Sequence, residues 1–281
     1  MKSVLITGGT GSFGRAFTSR LLKDNTVERI CIYSHSEHTQ AEMRESLNDE
    51  RLRWFIGDVR DRDRLRRAME GVDIVVHAAA LKRIEVGHYC PDELCKTNIN
   101  GSINVIDAAA QASVSKVLLT STDKAYMPCS PYGFSKAMAE SLFINANNIH
   151  GEHGPQYIVV RYGNIWGSNG SVVPKWKSLK KSGINRVSCT NTECTRFFMT
   201  LNQSVDFVLD NLNNPPEYNK ISVPELPAYR LGDLAEAMEV EVDVTGLPQW
   251  EKLHECMGDG NCSKEARRMS IEELKSFLKD D

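Results

Sequence analysis

The segment Lys2–Phe17, "KSVLITGGTGSFGRAF", predicts a β-strand that turns through glycines into an α-helix. Val4–Ile6 form a short apolar run, and from Phe13 onward the apolar residues recur at helical spacing. Gly8, Gly9 and Gly11 lie between the two patterns and Gly14 directly follows Phe13, where a tight turn needs residues without a Cβ atom. A strand, a tight turn and a helix in this order are typical of the first unit of a parallel α/β sheet.

The same alternation continues through the first 165 residues. Five further apolar runs read as buried strands: "RICIYS", "LRWFIGD", "VDIVVHAAA", "KVLLTS" and "YIVVRYG". Helical spacing is found over Phe13–Leu22, Arg60–Met69, Asp92–Ala112 and Tyr132–Asn148. We therefore predict an α/β protein with a Rossmann-like, doubly wound parallel sheet over residues 1–165, completed by part of 205–224.

Residues 166–281 are broken by glycines and prolines into short pieces, and we expect a smaller C-terminal substrate-binding region there. The last twelve residues, "SIEELKSFLKDD", predict an amphipathic helix with Ser270 as its N-cap and acidic residues in the first turn. Ligands of parallel sheets bind at the carboxyl ends of the strands. The polar clusters that follow the strands of residues 1–165 are therefore the candidate functional residues.

Composition narrows the class of partner. The 281 residues include 34 Lys and Arg against 37 Asp and Glu, a formal net charge of −3, and 41% are hydrophobic. This balance provides no general electrostatic footprint for nucleic acid or a membrane, so a small molecule is the expected partner. No apolar run has the length of a signal-peptide core or a membrane span, and we expect a cytoplasmic protein.

Eight cysteines are scattered along the chain without a CxxC pair. Their spacing does not match known zinc ligand patterns, so we predict no metal site. In a reducing compartment the cysteines are expected to be free thiols.

The glycine loop predicts a dinucleotide site. Glycines allow the backbone to approach a pyrophosphate, and the amino terminus of the following helix offers unpaired N–H groups and a favourable dipole. A purely structural turn is the alternative, but the strand, turn and helix context favours the nucleotide.

The end of the second strand bears on the choice of cofactor. Ser34, His35 and Ser36 occupy the place where an acidic residue would bond the ribose of NAD, so we expect NADP, with Glu37 arguing for NAD as the alternative. After the third strand, Asp58 and Val59 are predicted to contact the adenine. The alternative is that Asp58 or Asp61 caps the next helix.

The segment Ser121–Lys136, "STDKAYMPCSPYGFSK", is the candidate catalytic segment. Tyr132 and Lys136 are four residues apart and share one helical face, and a nearby ammonium is expected to lower the tyrosine pKa. Asp123 and Lys124 directly follow an apolar strand, where charged side chains are costly unless wet or paired. The alternative is a solvated loop pair and a packing tyrosine.

Taken together, these motifs resemble the extended short-chain dehydrogenase/reductase superfamily. The resemblance is closest to its UDP-N-acetylglucosamine 4,6-dehydratases of bacterial surface-sugar biosynthesis. It rests on TGxxGxxG, "HAAALKRIEVGHYCP", "KTNINGSINVIDAA", "STDKA" and YxxxK, and continues through "RYGNIWGSNGSVVP", "TRFFMTLNQSVDFVL", "EKLHE" and "SKEARRMSIEEL". The segment "STDKA" distinguishes these dehydratases from sugar-nucleotide 4-epimerases, which usually lack the Asp-Lys pair.

The resemblance implies a mechanism that the residue chemistry supports. Tyr132 would take the C4 hydroxyl proton of a UDP-sugar while C4 gives a hydride to the nicotinamide, and Lys136 would hold the nicotinamide ribose. Lys124, with its pKa lowered in a closed site, would then remove the C5 proton, and a protonated Asp123 would give a proton to the departing C6 hydroxyl. Thr122 would orient the substrate.

The resemblance also implies binding residues. For the cofactor they are Gly8, Gly11, Ser12, Phe13, Gly14, Ser34, His35, Ser36, Asp58, Val59, Ala78, Ala79, Ala80, Lys82, Tyr132 and Lys136. For the substrate they are Lys82, Asn164, Ser171, Val172, Pro174, Thr195, Arg196 and Glu251. Asn98 would brace the catalytic helix, and Arg196 would supply a cation for phosphate or uracil, with a surface arginine as the alternative. The superfamily often forms homo-oligomers, and we expect one here, with the apolar-faced helices over Asp92–Ala112 and Tyr132–Asn148 pairing between subunits; the alternative is that these helices are internal.

Three departures from the family's pattern concern ligand binding. Pro248, Gln249 and Trp250 stand where an Arg-Pro-Gly sequence normally precedes Glu251. Asn169 replaces a common arginine, and "SHSE" lacks the arginine that usually grips the NADP phosphate. Two other functions stay open: a 4- or 5-epimerase that uses the same hydride chemistry, and a non-catalytic NADP-binding scaffold.

Overall fold

Parallel strands form the central sheet of the computed structural model, which describes residues 1–168 and 170–280. The strands of the protein are β1 Ser3–Thr7, β2 Arg29–Ser34, β3 Leu52–Ile56, β4 Ile74–His77, β5 Lys116–Thr122, β6 Gln156–Tyr162, β7 Arg186–Cys189, β8 Thr195–Phe197, β9 Ile221–Ser222, β10 Ala228–Arg230, β11 Glu241–Val244, β12 Cys256–Gly258 and β13 Asn261–Cys262. Seven of these described strands pair in the order β3-β2-β1-β4-β5-β6-β9, all parallel. The predicted fold class is confirmed.

Helices cover both faces of the sheet. They are α1 Ser12–Leu21, α2 Glu37–Ser46, α3 Arg62–Met69, α4 Ile84–Tyr89, α5 Pro91–Leu94, α6 Gly101–Gln111, α7 Pro131–His150, α8 Val172–Lys181, α9 Leu201–Asn213, α10 Leu231–Ala237 and α11 Ile271–Asp280. Side chains alternate along each strand, so Leu5 packs with α3, α6 and α7 on one face, while Val4 and Ile6 pack with α1 and α9 on the other. Burial on both faces explains why the strands are apolar throughout.

The predicted helix Asp92–Ala112 is interrupted by a π-helical turn. α5 runs into a π-helical segment, Cys95–Asn100, before α6 continues. Within that segment the Asn98 side chain bonds outward to a neighbouring loop and helix instead of lying on the helix surface. Such bulges are often found at functional sites.

The later part of the chain builds smaller sheets and a separate apolar cluster. β8 pairs with β10 antiparallel, β7 pairs with β11 parallel, and Trp166, Trp176 and Phe198 belong to one buried cluster. The seventh strand of the main sheet, β9, comes from the range 205–224. A division of the chain after residue 165 stays a prediction.

The terminal helix begins as predicted. Ser270 Oγ accepts a hydrogen bond from the Glu273 N–H at 3.1 Å, and the Glu273 carboxylate accepts one from the Ser270 N–H at 2.8 Å. This reciprocal capping satisfies two N–H groups at the start of α11. Within residues 1–168 and 170–280, the structure contains no helix that is both long and apolar enough to cross a membrane.

The expectation that all cysteines are free thiols is wrong for one pair. Cys256 and Cys262 form a disulfide, because the β12–β13 hairpin pairs them directly and brings their Cα atoms to 4.0 Å. Gly260 in the turn between the two strands has a φ of +73°, which permits the tight reversal. The free cysteines are Cys31, Cys90, Cys95, Cys129, Cys189 and Cys194.

Removing this disulfide is expected to lower stability. In the Cys256→Ser/Cys262→Ser variant the unfolded chain gains loop entropy, and closing a loop this short corresponds to about 2 kcal/mol in the free energy of unfolding. Urea unfolding measures the difference, and Cys90→Ser, which changes an exposed free thiol, is the control. An unchanged midpoint in the double variant would show that the bridge does not stabilise the fold.

Candidate active site

A cavity of about 1090 Å³ lies at the carboxyl ends of β1, β2, β4, β5 and β6. Nearly all the predicted site residues line it, from the glycine loop to Tyr132 and on to Glu251. The exceptions are Asp123, Pro174 and Thr195. Asp123 is fully buried beneath Lys124, and the Thr195 hydroxyl bonds to His254 Nδ1 at 2.8 Å and to Ser263 Oγ at 2.6 Å. The structure thus brings the predicted cofactor and catalytic residues into one site, while their roles stay predictions.

The glycine loop has the geometry that a dinucleotide requires. Gly8 has a φ of +67°, and a Cβ atom there would lie 2.8 Å from Ala79 N, so the loop and the end of β4 approach closely. A Cβ atom on Gly14 would lie 2.5 Å from Gly9 O. Gly11 precedes α1 without a side-chain cap, which leaves the first N–H groups of the helix open toward the cavity. The residues present fit a pyrophosphate.

The end of β2 supplies polar groups, two of which are already engaged. Ser34 Oγ accepts a hydrogen bond from Gln40 Nε2 at 3.0 Å, and Ser36 Oγ caps α2 by accepting from the Thr39 N–H at 3.3 Å. His35 is exposed and lines the cavity. Of the three residues predicted to favour NADP, His35 has the side chain most open to a ligand.

Asp58 does not cap α3. Its carboxylate pairs with Arg60, Oδ2 lying 2.6 Å from Nη2, and this hydrogen bond holds the Asp58 pKa below its ordinary value. The N-cap of α3 is Asp61, whose carboxylate accepts from the Arg64 N–H at 2.9 Å. Asp58 therefore remains at the cavity wall, where an adenine contact was predicted.

Asp123 and Lys124 form a buried pair where β5 ends. Lys124 Nζ lies 3.0 Å from Asp123 Oδ1, and Thr122 Oγ1 donates to the same oxygen at 2.9 Å. Nζ also lies 3.2 Å from Asn164 Oδ1 and 3.4 Å from Glu255 Oε1. The alternative of a solvated loop pair is wrong, because the Asp123 side chain is 0% exposed and that of Lys124 is 20% exposed.

Burial and charge set the protonation of this pair. Burial raises the pKa of Asp123, and the Glu255 charge raises it further, while Lys124 acts in the opposite direction. Burial lowers the pKa of Lys124, but the charges of Asp123 and Glu255 outweigh burial and the net pKa is raised. A lowered Lys124 pKa, as expected for a base in a closed site, is not found in this state. The charge of Asp123, together with that of the second carboxylate, Glu255, keeps it raised.

Tyr132 and Lys136 lie in the first turns of α7, which begins at Pro131 with Ser130 as N-cap. Burial raises the Tyr132 pKa to about 12, with Lys124 and a hydrogen bond to Thr122 acting in the opposite direction. The expectation that Lys136 lowers the tyrosine pKa is wrong for this state. Lys136 Nζ donates to Thr120 O at 2.8 Å, and burial lowers its own pKa to about 8. Lys124 is the cation that acts on Tyr132.

Asn98 makes the predicted bracing contact. Its Nδ2 donates to Leu81 O and to Ser135 Oγ, both at 2.9 Å, and its Oδ1 accepts from the Leu81 N–H at 2.8 Å. Ser135 belongs to α7, so this amide ties α7, the helix that carries Tyr132 and Lys136, to the loop that follows β4. The π-helical turn places Asn98 where it can reach both.

Arg196 is a buried residue, and the alternative of a surface arginine is wrong. The residue is 5% exposed, its Nη2 lies 2.5 Å from Glu251 Oε1, and its Nη1 donates to Thr195 O at 2.8 Å. The predicted phosphate cation is therefore paired with Glu251, another predicted substrate residue. Ser171 Oγ, at the cavity wall, is buried without a protein hydrogen-bond partner among the described residues.

Two residues that depart from the family pattern are Trp250 and Asn169, and the structure describes only the first of them. Trp250 lines the cavity and packs against His88 of α4 with ring centroids 4.4 Å apart. Asn169 lies outside the described residues.

Sequence reasoning missed two charged residues of the site. Glu255 is 2% exposed and contacts Lys124, while Lys252 Nζ donates to Tyr126 O at 2.5 Å and lies 3.6 Å from Glu255 Oε2. Both belong to "EKLHE", which was part of the resemblance but supplied only Glu251 as a candidate. The second acidic residue of that motif was the available signal.

Comparison with known proteins assigns the family. A sequence model described as "Polysaccharide biosynthesis protein" matches residues 4–274, nearly the whole chain. This chain belongs to the polysaccharide biosynthesis protein family. Its membership agrees with the resemblance inferred from the motifs, which is confirmed.

Curated relatives of this polysaccharide biosynthesis family member are named for two activities. The chain is 44% identical over 258 residues to a UDP-N-acetylglucosamine 4,6-dehydratase (inverting) of Campylobacter jejuni, covering 91% of this chain and 77% of the relative. It is 41% identical over 265 residues to a UDP-glucose 4-epimerase of Rickettsia conorii, again covering 91% and 77%. Among solved structures, Pen from Bacillus thuringiensis superimposes with a TM-score of 0.93 at 30% identity, covering 99% of this chain and 97% of Pen.

Proposed function

We propose that this protein catalyses the NADP-dependent 4,6-dehydration of a UDP-N-acetylhexosamine, with UDP-N-acetylglucosamine as the expected substrate. The observation that carries the proposal is the buried Asp123–Lys124 pair, which lies next to Tyr132 at the wall of a cavity that begins at the glycine loop. Sugar oxidation alone requires one proton-transferring group, whereas elimination of water requires an additional base and an additional acid. The 44% identity to the Campylobacter jejuni dehydratase supports the same reaction.

The protein's own groups would hold the cofactor along the cavity. The N–H groups at the start of α1 would bind the pyrophosphate, His35 would face the 2′-phosphate, Asp58 would face the adenine, and Lys136 would hold the nicotinamide ribose. When bound, the nicotinamide would take the hydride from C4 and later return it to C6.

Tyr132 is the proposed proton acceptor for the C4 hydroxyl. The phenolate is the competent form, and it is opposed by burial but favoured by the Lys124 charge and by the Thr122 hydroxyl. Lys124 therefore supports oxidation while it is still an ammonium. The product of this step is a 4-ketone, which acidifies the C5 proton.

Elimination then uses the buried pair. Transfer of one proton from Lys124 to Asp123 across 3.0 Å would leave a neutral amine and a protonated acid. The amine takes the C5 proton, the C6–O bond breaks, and Asp123 gives its proton to the departing hydroxyl, so that water leaves and a C5–C6 double bond remains. The raised pKa of Asp123 suits the acid role.

A 4-epimerase is the second candidate, favoured by the 41% identity to the Rickettsia conorii UDP-glucose 4-epimerase. Epimerisation needs Tyr132 and a cofactor but gives Asp123 and Lys124 no proton to transfer. A non-catalytic scaffold would not require Asp123, Lys124, Tyr132 and Lys136 to be grouped in one site.

Mass spectrometry of UDP-N-acetylglucosamine incubated with the purified protein separates these functions. The proposal predicts a product lighter by one water. A new isomer of unchanged mass would support the epimerase, and an unaltered sugar nucleotide in the presence of bound NADP would contradict turnover of this substrate.

His35 is expected to set the cofactor preference. In His35→Asp, a carboxylate at the end of β2 would repel the 2′-phosphate and bond the ribose hydroxyls of NAD, so we expect the Kd for NADP to rise about tenfold while that for NAD falls. Calorimetric titration of each cofactor measures both constants. His38→Asp is the control, because His38 is exposed on α2 and outside the cavity lining. Equal shifts in the two variants would contradict a role for His35.

A further inference from the structure

Glu255 contacts the catalytic lysine through a side chain that solvent barely reaches. The residue is 2% exposed and lines the cavity, and its Oε1 lies 3.4 Å from Lys124 Nζ. Lys124 Nζ thus donates hydrogen bonds to Asp123 and Asn164 and forms an ion pair with Glu255. These oxygens favour the ammonium form of Lys124, which has no lone pair for a substrate proton.

The backbone of Glu255 is fixed independently of Lys124. Its N–H donates to Ser263 Oγ at 2.9 Å, and its carbonyl accepts from the Ser263 N–H at 2.7 Å. The next residue, Cys256, is joined by the disulfide to Cys262. The β12–β13 hairpin therefore holds the carboxylate at the cavity wall.

The two carboxylates beside Lys124 differ in their surroundings. Glu255 also faces Lys252, 3.6 Å away, and the Arg196 charge, and these cations with Lys124 overcome burial and hold its pKa below the ordinary value. Asp123, by contrast, has Lys124 as its cation, and its pKa is raised. The titratable and charged groups that face Lys124 or Glu255 are Asp123, Lys252, Arg196, Cys129, Tyr132 and Tyr229.

We propose that Glu255 is a positioning residue for elimination, which holds the Lys124 ammonium at the cavity wall and governs its conversion to the free base. Because Glu255 stays ionised, the proton that leaves Lys124 goes to Asp123, the carboxylate that the mechanism uses as acid. The ammonium is also retained during C4 oxidation, when its charge favours the Tyr132 phenolate. This role rests on the dehydratase function proposed above.

The first test measures the protonation state of the Lys124 side chain directly and requires no turnover. Nuclear magnetic resonance of isotope-labelled lysine side chains follows the Lys124 signal, which is assigned by its absence from Lys124→Gln. In the wild type we expect an ammonium over the whole pH range in which the chain is folded. In Glu255→Gln, which loses the charge at 3.4 Å but keeps an acceptor oxygen, we expect Lys124 to titrate within that range.

Two further variants make the test specific. Glu255→Asp retains the charge and is expected to restore the ammonium, while Glu251→Gln removes a carboxylate that pairs with Arg196 and should leave the Lys124 signal unaltered. Circular dichroism verifies that each variant is folded. Identical Lys124 titrations in the wild type and in Glu255→Gln would overturn the proposal, whether or not the wild type loses water from UDP-N-acetylglucosamine.

The second test uses the reaction. In Glu255→Gln, C5 proton exchange is expected to reach half of its maximal rate at a pH within the folded range, while the wild-type rate still rises at the upper end of that range, because the free amine forms at lower pH in the variant. A purely structural role would lower the rate without moving that pH. Failure of the wild type to exchange would refute the proposed function, while the lysine titration still decides the role of Glu255.

Discussion

The Lys124→Gln variant is expected to oxidise its substrate more slowly than the wild type, because the charge that favours the Tyr132 phenolate is lost, and to lose elimination. Glutamine donates hydrogen bonds to Asp123 and Asn164 but cannot accept the C5 proton at neutral pH. Loss of a general base lowers the rate of water loss by about a thousandfold. We expect the reduced nicotinamide to accumulate, since the hydride taken from C4 has no C6 acceptor. In a single turnover, the absorbance of the reduced cofactor measures the oxidation half of the reaction, and the mass of the product measures the elimination half.

Lys220→Gln is the matched control for this variant. Lys220 is exposed, pairs with Glu217 and is not part of the cavity wall, so its replacement should leave both halves at the wild-type rate. Water loss by Lys124→Gln at the wild-type rate would remove Lys124 from the elimination step and with it the role of the buried pair.

The Tyr132→Phe variant is expected to lose both halves of the reaction. Phenylalanine keeps the ring but removes the hydroxyl that takes the C4 proton, so oxidation slows by about a thousandfold and elimination, which needs the 4-ketone, slows with it. The wild-type oxidation rate should rise with pH through the alkaline range, because the Tyr132 pKa is raised to about 12 and the phenolate forms only as the pH increases. Stopped-flow absorbance of the nicotinamide measures the rate at each pH.

The tyrosine prediction also has a matched control. Tyr218→Phe alters an exposed tyrosine outside the cavity lining and should reproduce the wild-type profile. Fast cofactor reduction by Tyr132→Phe, or a wild-type rate that falls as the pH rises, would show that another group accepts the C4 proton.

Much of the fold could be predicted because it depends on local signals. Apolar runs such as Arg29–Ser34 match their strands to the residue, and the glycines after β1 could only turn the chain toward α1. The π-helical turn at Cys95–Asn100 could not be predicted, because it depends on what Asn98 reaches across the fold. The Cys256–Cys262 bridge likewise depends on a hairpin whose strands, β12 and β13, are too short to give a recognisable pattern in the sequence.

The site was predicted in position more fully than in electrostatics. Asp123, Lys124, Tyr132 and Lys136 share one short segment, so the helical spacing and the end of β5 place them together. Their pKa values depend on partners that are distant in sequence. The raised Lys124 pKa depends on the adjacent Asp123 and also on Glu255, 131 positions further along the chain, and burial of Lys136 against Thr120 removes it as the cation beside Tyr132.

The most direct test of the account is the reaction of UDP-N-acetylglucosamine in heavy water, with the product mass and the position of deuterium determined for the wild type and for Lys124→Gln. We predict that the wild type forms a product that has lost one water and carries deuterium at C5, and that Lys124→Gln forms neither. A wild-type product of unchanged mass, or water loss by Lys124→Gln at the wild-type rate, would contradict elimination by the Asp123–Lys124 pair.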